Sequence, residues 1–474
     1  MSFQPEPLNR RAGYAPRRGR GGLPRPFVKR QESVKLDITK NPLGELLIQI
    51  KSSDLTSLPA NLPVPTTITD CHYVTSYNWL AGKDSAVLVP GQPPRWSPLK
   101  TPQRLSEDSG DFYRDLNAAR YPEYPIAPAV KAIMATASDV PAEADVFACG
   151  STLGNLLRFV RGVEKAFRFC VEVVGNTVFL IRKENDPKEL IKGVRGFGHS
   201  FPDAYTTWPA DVKGSETHQR IVQYDLGGIQ CLVRFECDGF FDDEVSPRVS
   251  PSTRPPSVST DTLTQALSST TISTQRLSGT DSLSIEQAGK PIPQASIFDL
   301  KTRSGRYGKP IKMDDITPQL WVKQVPNFII AYHDGSGLFR DIQIQDVRTL
   351  TANFERDNAD AIRKLVVLLH KIIAIAKADS SSLLEVHCPG HGVLEIRKQS
   401  GIGVHALPSL LREQWVERCG DGSVDLKDEE NTGHGVAARF SSSEEYENSG
   451  DYDEEKDFTA CSVEECGYCG RCTY

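Results

Sequence analysis

Half of the residues between Val245 and Gln294 are Ser, Thr or Pro, and none is aromatic. So little apolar surface cannot offset the entropy of ordering a chain, and the stretch reads as disordered. Patterned sequence stands on both sides of it. Closing a long flexible loop costs only about 0.6 kcal/mol more per doubling of length, so such a stretch need not end a domain. The expectation is a single folded unit, interrupted once.

Before the insertion, Leu36 and Ile38, then Leu46, Ile48 and Ile50, alternate as short strands do. Arg168 to Val174 and Thr177 to Arg182, split by Gly175-Asn176, predict a β-hairpin. Gln219 to Tyr224 and Ile229 to Asp238, split by Gly227-Gly228, predict another. After the insertion, pattern resumes at Ile297, with a strand over Phe328 to Tyr332 and one long helix from Asn353 to Lys377. Ile362, Leu365, Val366, Leu369, Ile372, Ile373 and Ala376 fall on one face of that helix. Leu383 to Cys388 and Gly392 to Lys398 predict a closing hairpin. The fold class is α+β, a mixed β-sheet core flanked by helices.

The domain reading is a disordered basic arm over 1–33, the α+β domain over 34–410 with its insertion at 245–294, an acidic disordered linker over 411–460, and a four-cysteine tail over 461–474. The arm carries Arg10, Arg11, Arg17, Arg18, Arg20, Arg25, Lys29 and Arg30 against Glu6 and Glu32, and the linker ends in the acidic run Glu444 to Asp457. A basic arm suits polyanions, whereas solvated disorder accounts for the acidic run. No run of eighteen apolar residues is present, so no membrane span is expected. Charges and prolines stand where a signal peptide would need an apolar stretch, and eleven cysteines do not form a secreted framework in a chain this long. An intracellular, reducing location follows, the nucleus or the cytoplasm.

Two short segments carry chemistry. In Leu232-Val233-Arg234-Phe235-Glu236-Cys237-Asp238, residues two apart share a strand face, so Arg234, Glu236 and Asp238 point one way while Val233, Phe235 and Cys237 pack behind. Carboxylates side by side repel unless a cation lies between them, and hard divalent ions such as Mg²⁺ take oxygen ligands. In Ile297-Phe298-Asp299-Leu300-Lys301-Thr302-Arg303, Asp299 and Lys301 share a face opposite Phe298 and Leu300. Acids that hold a metal, joined to an ammonium that steadies phosphate charge, form a unit for phosphodiester hydrolysis. Each half alone is unspecific, and a solvated sheet face is the plain alternative for either.

In combination the segments have the arrangement of the PD-(D/E)xK nuclease superfamily, and the chain from about 45 to 380 resembles the decapping exoribonuclease family of the DXO type. His218-Gln219-Arg220 through Gly227-Gly228 to Glu236-Cys237-Asp238 is similar to that family's strand pair ending in Glu-x-Asp. Phe298 to Arg303 is similar to its Glu-x-Lys strand, and Gly198 to Asp203 to its glycine-aromatic segment. Asp145 to Leu157 resembles its early segment, and Gln319 to Pro326, followed by Phe328 to Tyr332, its Gln-bearing helix and the next strand. The resemblance implies Glu236, Asp238, Asp299 and Lys301 as catalytic residues, with Asp203, Glu236, Asp238 and Asp299 as ligands of Mg²⁺ or Mn²⁺. It implies RNA 5′ ends as substrate, through decapping, removal of an NAD cap or a 5′-triphosphate, or exonucleolysis, and a 5′–3′ exoribonuclease as a candidate protein partner.

Three departures set this chain apart. The family's Glu is Asp at 203 and 299, one methylene shorter. Its early arginine near the substrate is Gly150, for which Arg158 or Arg161 would have to substitute. Its glutamine corresponds to Gln319 by spacing from Pro326 and to Gln324 by nearness to the strand. A catalytically impaired RNA-binding or partner-stabilising protein is therefore the alternative, and a DNA-directed nuclease a third reading. His199 lies inside the presumed site segment, as a substrate contact or a packed histidine. His370 reads as structural, His387 and His391, which flank Cys388, as a chance cluster or a zinc site, and Tyr205, Trp208 and Trp321 as base-stacking or core residues. At the C-terminus, Cys461, Cys466, Cys469 and Cys472 could close a tetrahedral Zn²⁺ site. A metal-free reduced tail and iron–sulfur ligation are the other readings of that spacing.

Overall fold

The computed structural model describes residues 37–56, 66–82, 85–136, 144–242, 283–305, 311–379, 383–390 and 392–420. The basic arm, the four-cysteine tail, the acidic run, most of the insertion and His391 lie outside the described residues. In chain order the elements are β1 (Leu46–Lys51), β2 (Ile68–Leu80), β3 (Ala86–Pro90), β4 (Arg95–Trp96), β5 (Phe112–Tyr113), α1 (Leu116–Arg120), α2 (Ala127–Thr136), β6 (Val146–Cys149) and α3 (Gly150–Val160). Next come β7 (Phe167–Val174), β8 (Thr177–Arg182), β9 (Leu190–Ile191), α4 (Ser200–Tyr205), β10 (Thr206–Thr207), β11 (Ser215–Leu226), β12 (Ile229–Glu236) and β13 (Gly239–Phe240). Past the insertion follow β14 (Ser284–Ala288), β15 (Ile297–Ser304), α5 (Met313–Lys323), β16 (Asn327–His333), β17 (Phe339–Asp346), α6 (Arg348–Asp357), α7 (Ala359–Ala378), β18 (Leu384–Gly390), β19 (Val393–Lys398) and α8 (Ser409–Gly420).

The architecture is α+β, with one eleven-stranded sheet ordered β1-β19-β18-β7-β8-β6-β12-β11-β2-β3-β14 and one six-stranded sheet ordered β10-β4-β13-β15-β16-β17. A two-stranded ribbon pairs β5 with β9. Helices cover both faces of the large sheet. Its first face packs Val233 and Phe235 with Leu156, Leu320, Leu365 and Leu369 from α3, α5 and α7. Its second packs Leu232, Phe147 and Phe179 with Val130 of α2 and Trp415 of α8. Alternation along β12 thus follows the period-two pattern of the sequence. Phe298 and Leu300 of β15 enter a third cluster with Trp96, Phe201, Tyr205 and Phe339, which fixes Asp299 and Lys301 on the other face.

The three expected hairpins form as β7–β8, β11–β12 and β18–β19. Elsewhere the structure departs from expectation. Ile38 lies in a turn rather than a strand. The fold resumes at Leu283, not after Gln294: β14 adds in parallel to β3, and Arg220 donates to the Ile292 carbonyl at 2.7 Å and to Gln294 Oε1 at 2.7 Å. Helix α8 extends past residue 410 into the segment expected to be linker, because Leu411 and Trp415 find buried places. The single helix expected over 353–377 is two, broken at Asn358, whose backbone N–H and side-chain Nδ2 both donate to the Phe354 carbonyl at 2.9 Å. An amide side chain that bonds the preceding turn competes with helix continuation. Among the described residues no helix is long and apolar enough to cross a membrane.

Candidate active site

The chain passes from the large sheet to the small one through Cys237 and Asp238, between β12 and β13. Two features hold this crossover. Cys237 N donates to the His218 carbonyl at 3.0 Å. A Cβ on Gly239 would stand 2.8 Å from the Pro94 carbonyl oxygen and run into the Phe298 ring, so only glycine admits this approach. Glu236 and Asp238 therefore do not sit on a strand adjacent to Asp299 within one sheet. They reach the same place because β13 pairs antiparallel with β15, Gly239 opposite Phe298.

A cavity of about 600 Å³ opens there, lined by Asp203, Glu236, Asp238, Asp299 and Lys301 together with His199, Trp208, His218 and Lys323. Asp238 Oδ2 accepts the Leu300 N–H at 2.7 Å. Lys301 Nζ stands 3.7 Å from Asp299 Oδ1, and Lys323 Nζ 3.3 Å from Asp299 Oδ2. Burial raises the Asp238 carboxyl well above the usual carboxylate range, and the hydrogen-bonded Asp299 beside it raises it further. Burial works in the same sense on Asp299, but Lys301 and Lys323 outweigh it and hold that carboxyl ionised, below its ordinary value. Two carboxylates in such contact share a proton or a cation, which suits a hard divalent ion at this pair. Among the described residues, however, no three His, Cys, Asp or Glu side chains are grouped closely enough to hold a metal ion.

Asp203 and His199 lie at the start of α4, whose first N–H groups bind Asp108: His199 N at 2.9 Å and Ser200 N at 2.9 Å. Burial raises the Asp203 carboxyl and lowers the His199 imidazole. The His199 ring stacks on Phe112 at 3.8 Å between centroids, and both rings line the cavity. Of the other aromatics, Trp208 lines the cavity, Tyr205 is core, and Trp321 is buried with its indole N–H on Glu355.

The remaining sequence candidates are elsewhere. Arg158 and Arg161 do not line the cavity, because α3 carries them away at about 1.5 Å per residue. Arg158 instead donates to Asn155, and the Arg161 guanidinium lies over the Phe354 ring at 5.4 Å. Gln324 closes α5 in the left-handed region at φ 52°, and its Nε2 donates to the Trp321 carbonyl at 2.6 Å. Gln319 is buried on α5, outside the cavity wall. His387 donates to or accepts from nothing in the cavity; its Nδ1 stands 2.9 Å from Glu395 Oε2.

Lys323 and His218 are among the cavity residues missed from sequence. Lys323 follows Gln319 by four positions, one helical turn, so helix phase alone could have placed it beside the presumed glutamine. His218 gave no such signal. Its Nδ1 is 2.6 Å from Asn78 Oδ1, which also accepts the Gln92 N–H at 3.1 Å, while Asn78 Nδ2 donates to the Gln92 carbonyl at 2.8 Å. The amide orientation is thereby fixed, Nδ1 carries the proton, and Nε2 is left as an acceptor with no protein partner.

A family model described as a domain of unknown function, DUF8563, matches residues 56–390, and the chain belongs to that family. No curated protein matches it in sequence. Among solved structures it is similar to S. pombe Rai1 in complex with 3′-FADP, at 14% identity and TM-score 0.48 over 74% of this chain and 99% of that one. It is also similar to Scheffersomyces stipitis Rai1 in complex with (3′-NADP)+ and calcium ion, at 11% identity and TM-score 0.48 over 79% of this chain and 99% of that one. A third is K. lactis Dxo1 in complex with manganese, at 11% identity and TM-score 0.41 over 78% of this chain and 99% of that one. These structures belong to the decapping exonuclease family that the sequence resembles.

Proposed function

We propose that the protein is a divalent-metal-dependent nuclease acting at RNA 5′ ends. The observation that supports this is the meeting of Asp203, Glu236, Asp238, Asp299 and Lys301 in one cavity, from segments that a long insertion separates. Asp238 and Asp299 are the residues that would hold the ion, with Glu236 and Asp203 on the same wall. When bound, Mg²⁺ or Mn²⁺ supplies charge stabilisation for a phosphoryl oxygen. Lys301 keeps Asp299 ionised and brings positive charge to the phosphate. His218 Nε2 is a buried acceptor without a protein partner beside the cavity, suited to a bound water. Trp208 and the stacked pair Phe112–His199 offer flat faces to a base.

A binding protein without catalysis is the second reading. It is favoured by the engagement of both Asp299 oxygens by lysines, which leaves fewer lone pairs for a metal. Incubating the protein with 5′-triphosphate, NAD-capped and 5′-monophosphate RNA and with single-stranded DNA, each with Mg²⁺ or Mn²⁺, separates these readings. The nuclease reading expects end-directed cleavage of RNA that is lost on chelation. Tight RNA binding with no cleavage under any condition would favour the binding protein, and equal cleavage of DNA a broader nuclease.

A further inference from the structure

Two ammonium groups close on Asp299 from different elements, Lys301 from β15 and Lys323 from the last turn of α5. Both are nearly inaccessible, at 6% and 4% exposure, yet both line the cavity. Two lysines on the wall of one cavity suit an anionic ligand.

The route of its side chain supports this. A Cβ on Gly150, at the start of α3, would stand 3.5 Å from Lys323 Cγ and 3.6 Å from Phe235 Cβ. An alanine would just fit, but a longer side chain at 150 would take the volume through which the lysine stem reaches the cavity. We propose that Lys323 is a phosphate-binding residue, gripping the terminal phosphate of a 5′ end, and that Gly150 is small in order to admit it. The proposal rests on the nuclease reading and adds a specificity to it. Lysine binds phosphate as a point charge, so the grip is on charge at the terminus and not on the base.

The test is binding by the full-length protein of pentauridylate with a 5′-phosphate against the same oligomer with a 5′-hydroxyl, read by fluorescence anisotropy. The wild type should prefer the phosphorylated end about tenfold or more, the worth of a charged hydrogen bond. Lys323→Met should lose most of that preference while retaining affinity for the 5′-hydroxyl oligomer. Lys323→Arg should retain it, and Lys323→Met with Gly150→Arg, which grows a guanidinium into the vacated volume, should recover part. A purely structural role for Lys323 would weaken both oligomers together and leave their ratio unmoved. Should Lys323→Met fail to fold, Lys323→Gln keeps Asp299 hydrogen-bonded without the charge and takes its place. An unchanged ratio in the neutral variant overturns the proposal and leaves the nuclease reading standing. A wild type that binds neither oligomer overturns both.

Discussion

The Asp238 carboxylate accepts the Leu300 backbone N–H at 2.7 Å, joining positions 62 residues apart. That bond fastens the crossover between sheets to the middle of β15 and turns Asp238 toward Asp299. The protein spends a buried carboxylate on a backbone contact that a neutral acid or an amide could make equally well. What only the carboxylate supplies is a titratable oxygen next to a second acid.

Asp238→Asn separates those two roles. The amide oxygen keeps the Leu300 contact and mimics the protonated acid that burial favours, so the melting temperature at neutral pH should stay level or rise. Turnover should fall at least about a hundredfold, or about 2.7 kcal/mol in barrier, since an amide neither holds a metal well nor exchanges a proton. Steady-state kinetics with a parallel thermal melt checks both. Full activity in the variant would remove Asp238 from the chemistry.

Arg168 and Glu385 form the most deeply buried ion pair among the described residues that tie the N-terminal segment down. Arg168 Nε donates to Glu385 Oε2 at 2.9 Å and its Nη1 to the Asn41 carbonyl at 2.6 Å, while Gly44 N reaches Glu385 Oε1 at 3.4 Å. Glu385→Ala strands a buried guanidinium and should cost about 3–5 kcal/mol by urea unfolding. Arg168→Met combined with Glu385→Leu should be less damaging than Glu385→Ala alone, because the buried guanidinium goes with its partner and only the partly exposed Lys183, 3.6 Å from Glu385, loses an acid. A double variant worse than the single would show that the backbone contacts of Arg168 to residues 41 and 42 matter more than the pair.

Replacing residues 248–280 by a short glycine-serine linker should leave activity nearly unchanged and the melting temperature within a few degrees. Among the described residues, β13 with β15, Asp238 with Leu300, β14 with β3 and Arg220 with Ile292 join the two sides. The cut must stop short of Leu283, which is buried in the second core cluster. Extending the deletion to Ala288 removes an edge strand and should lower the melting temperature clearly. Equal stability of the two deletions would mean that β14 contributes nothing to the sheet.

Period-two spacing made Asp299 and Lys301 legible as a pair on one strand face, and Glu236 with Asp238 as a second pair, although Asp238 falls just past the end of β12. The same rule could not say that the pairs span two sheets, since the crossover depends on the Gly239 approach to Phe298. Arg158 and Arg161 are the cations nearest Gly150 in sequence, whereas the lysine stem nearest it in space is brought by α5. Distance along a helix is easily read. Which helix packs over which glycine is set by the core between them. His218 was invisible for a related reason: its role comes from an Asn78 amide held by Gln92, three residues on separate segments.

His218 also carries a pH dependence whose sign can be worked out. It is 1% exposed, and burial first, then the Arg220 charge, lowers its pKa well below the ordinary value of 6.5. In the folded protein it stays neutral where the unfolded chain takes up a proton. The stability it supports is therefore fully present above about pH 6.5 and is lost as pH falls toward the folded-state value, at up to about 1.4 kcal/mol per pH unit. Thermal melts from pH 7.5 to pH 5 should show this loss in the wild type. His218→Gln, which keeps a donor for Asn78 and has no proton to gain, should be less stable at pH 7.5 yet fall less steeply with acid. Parallel slopes for the two proteins would mean that His218 takes up a proton in the fold as readily as in the unfolded chain, and that burial does not hold it neutral.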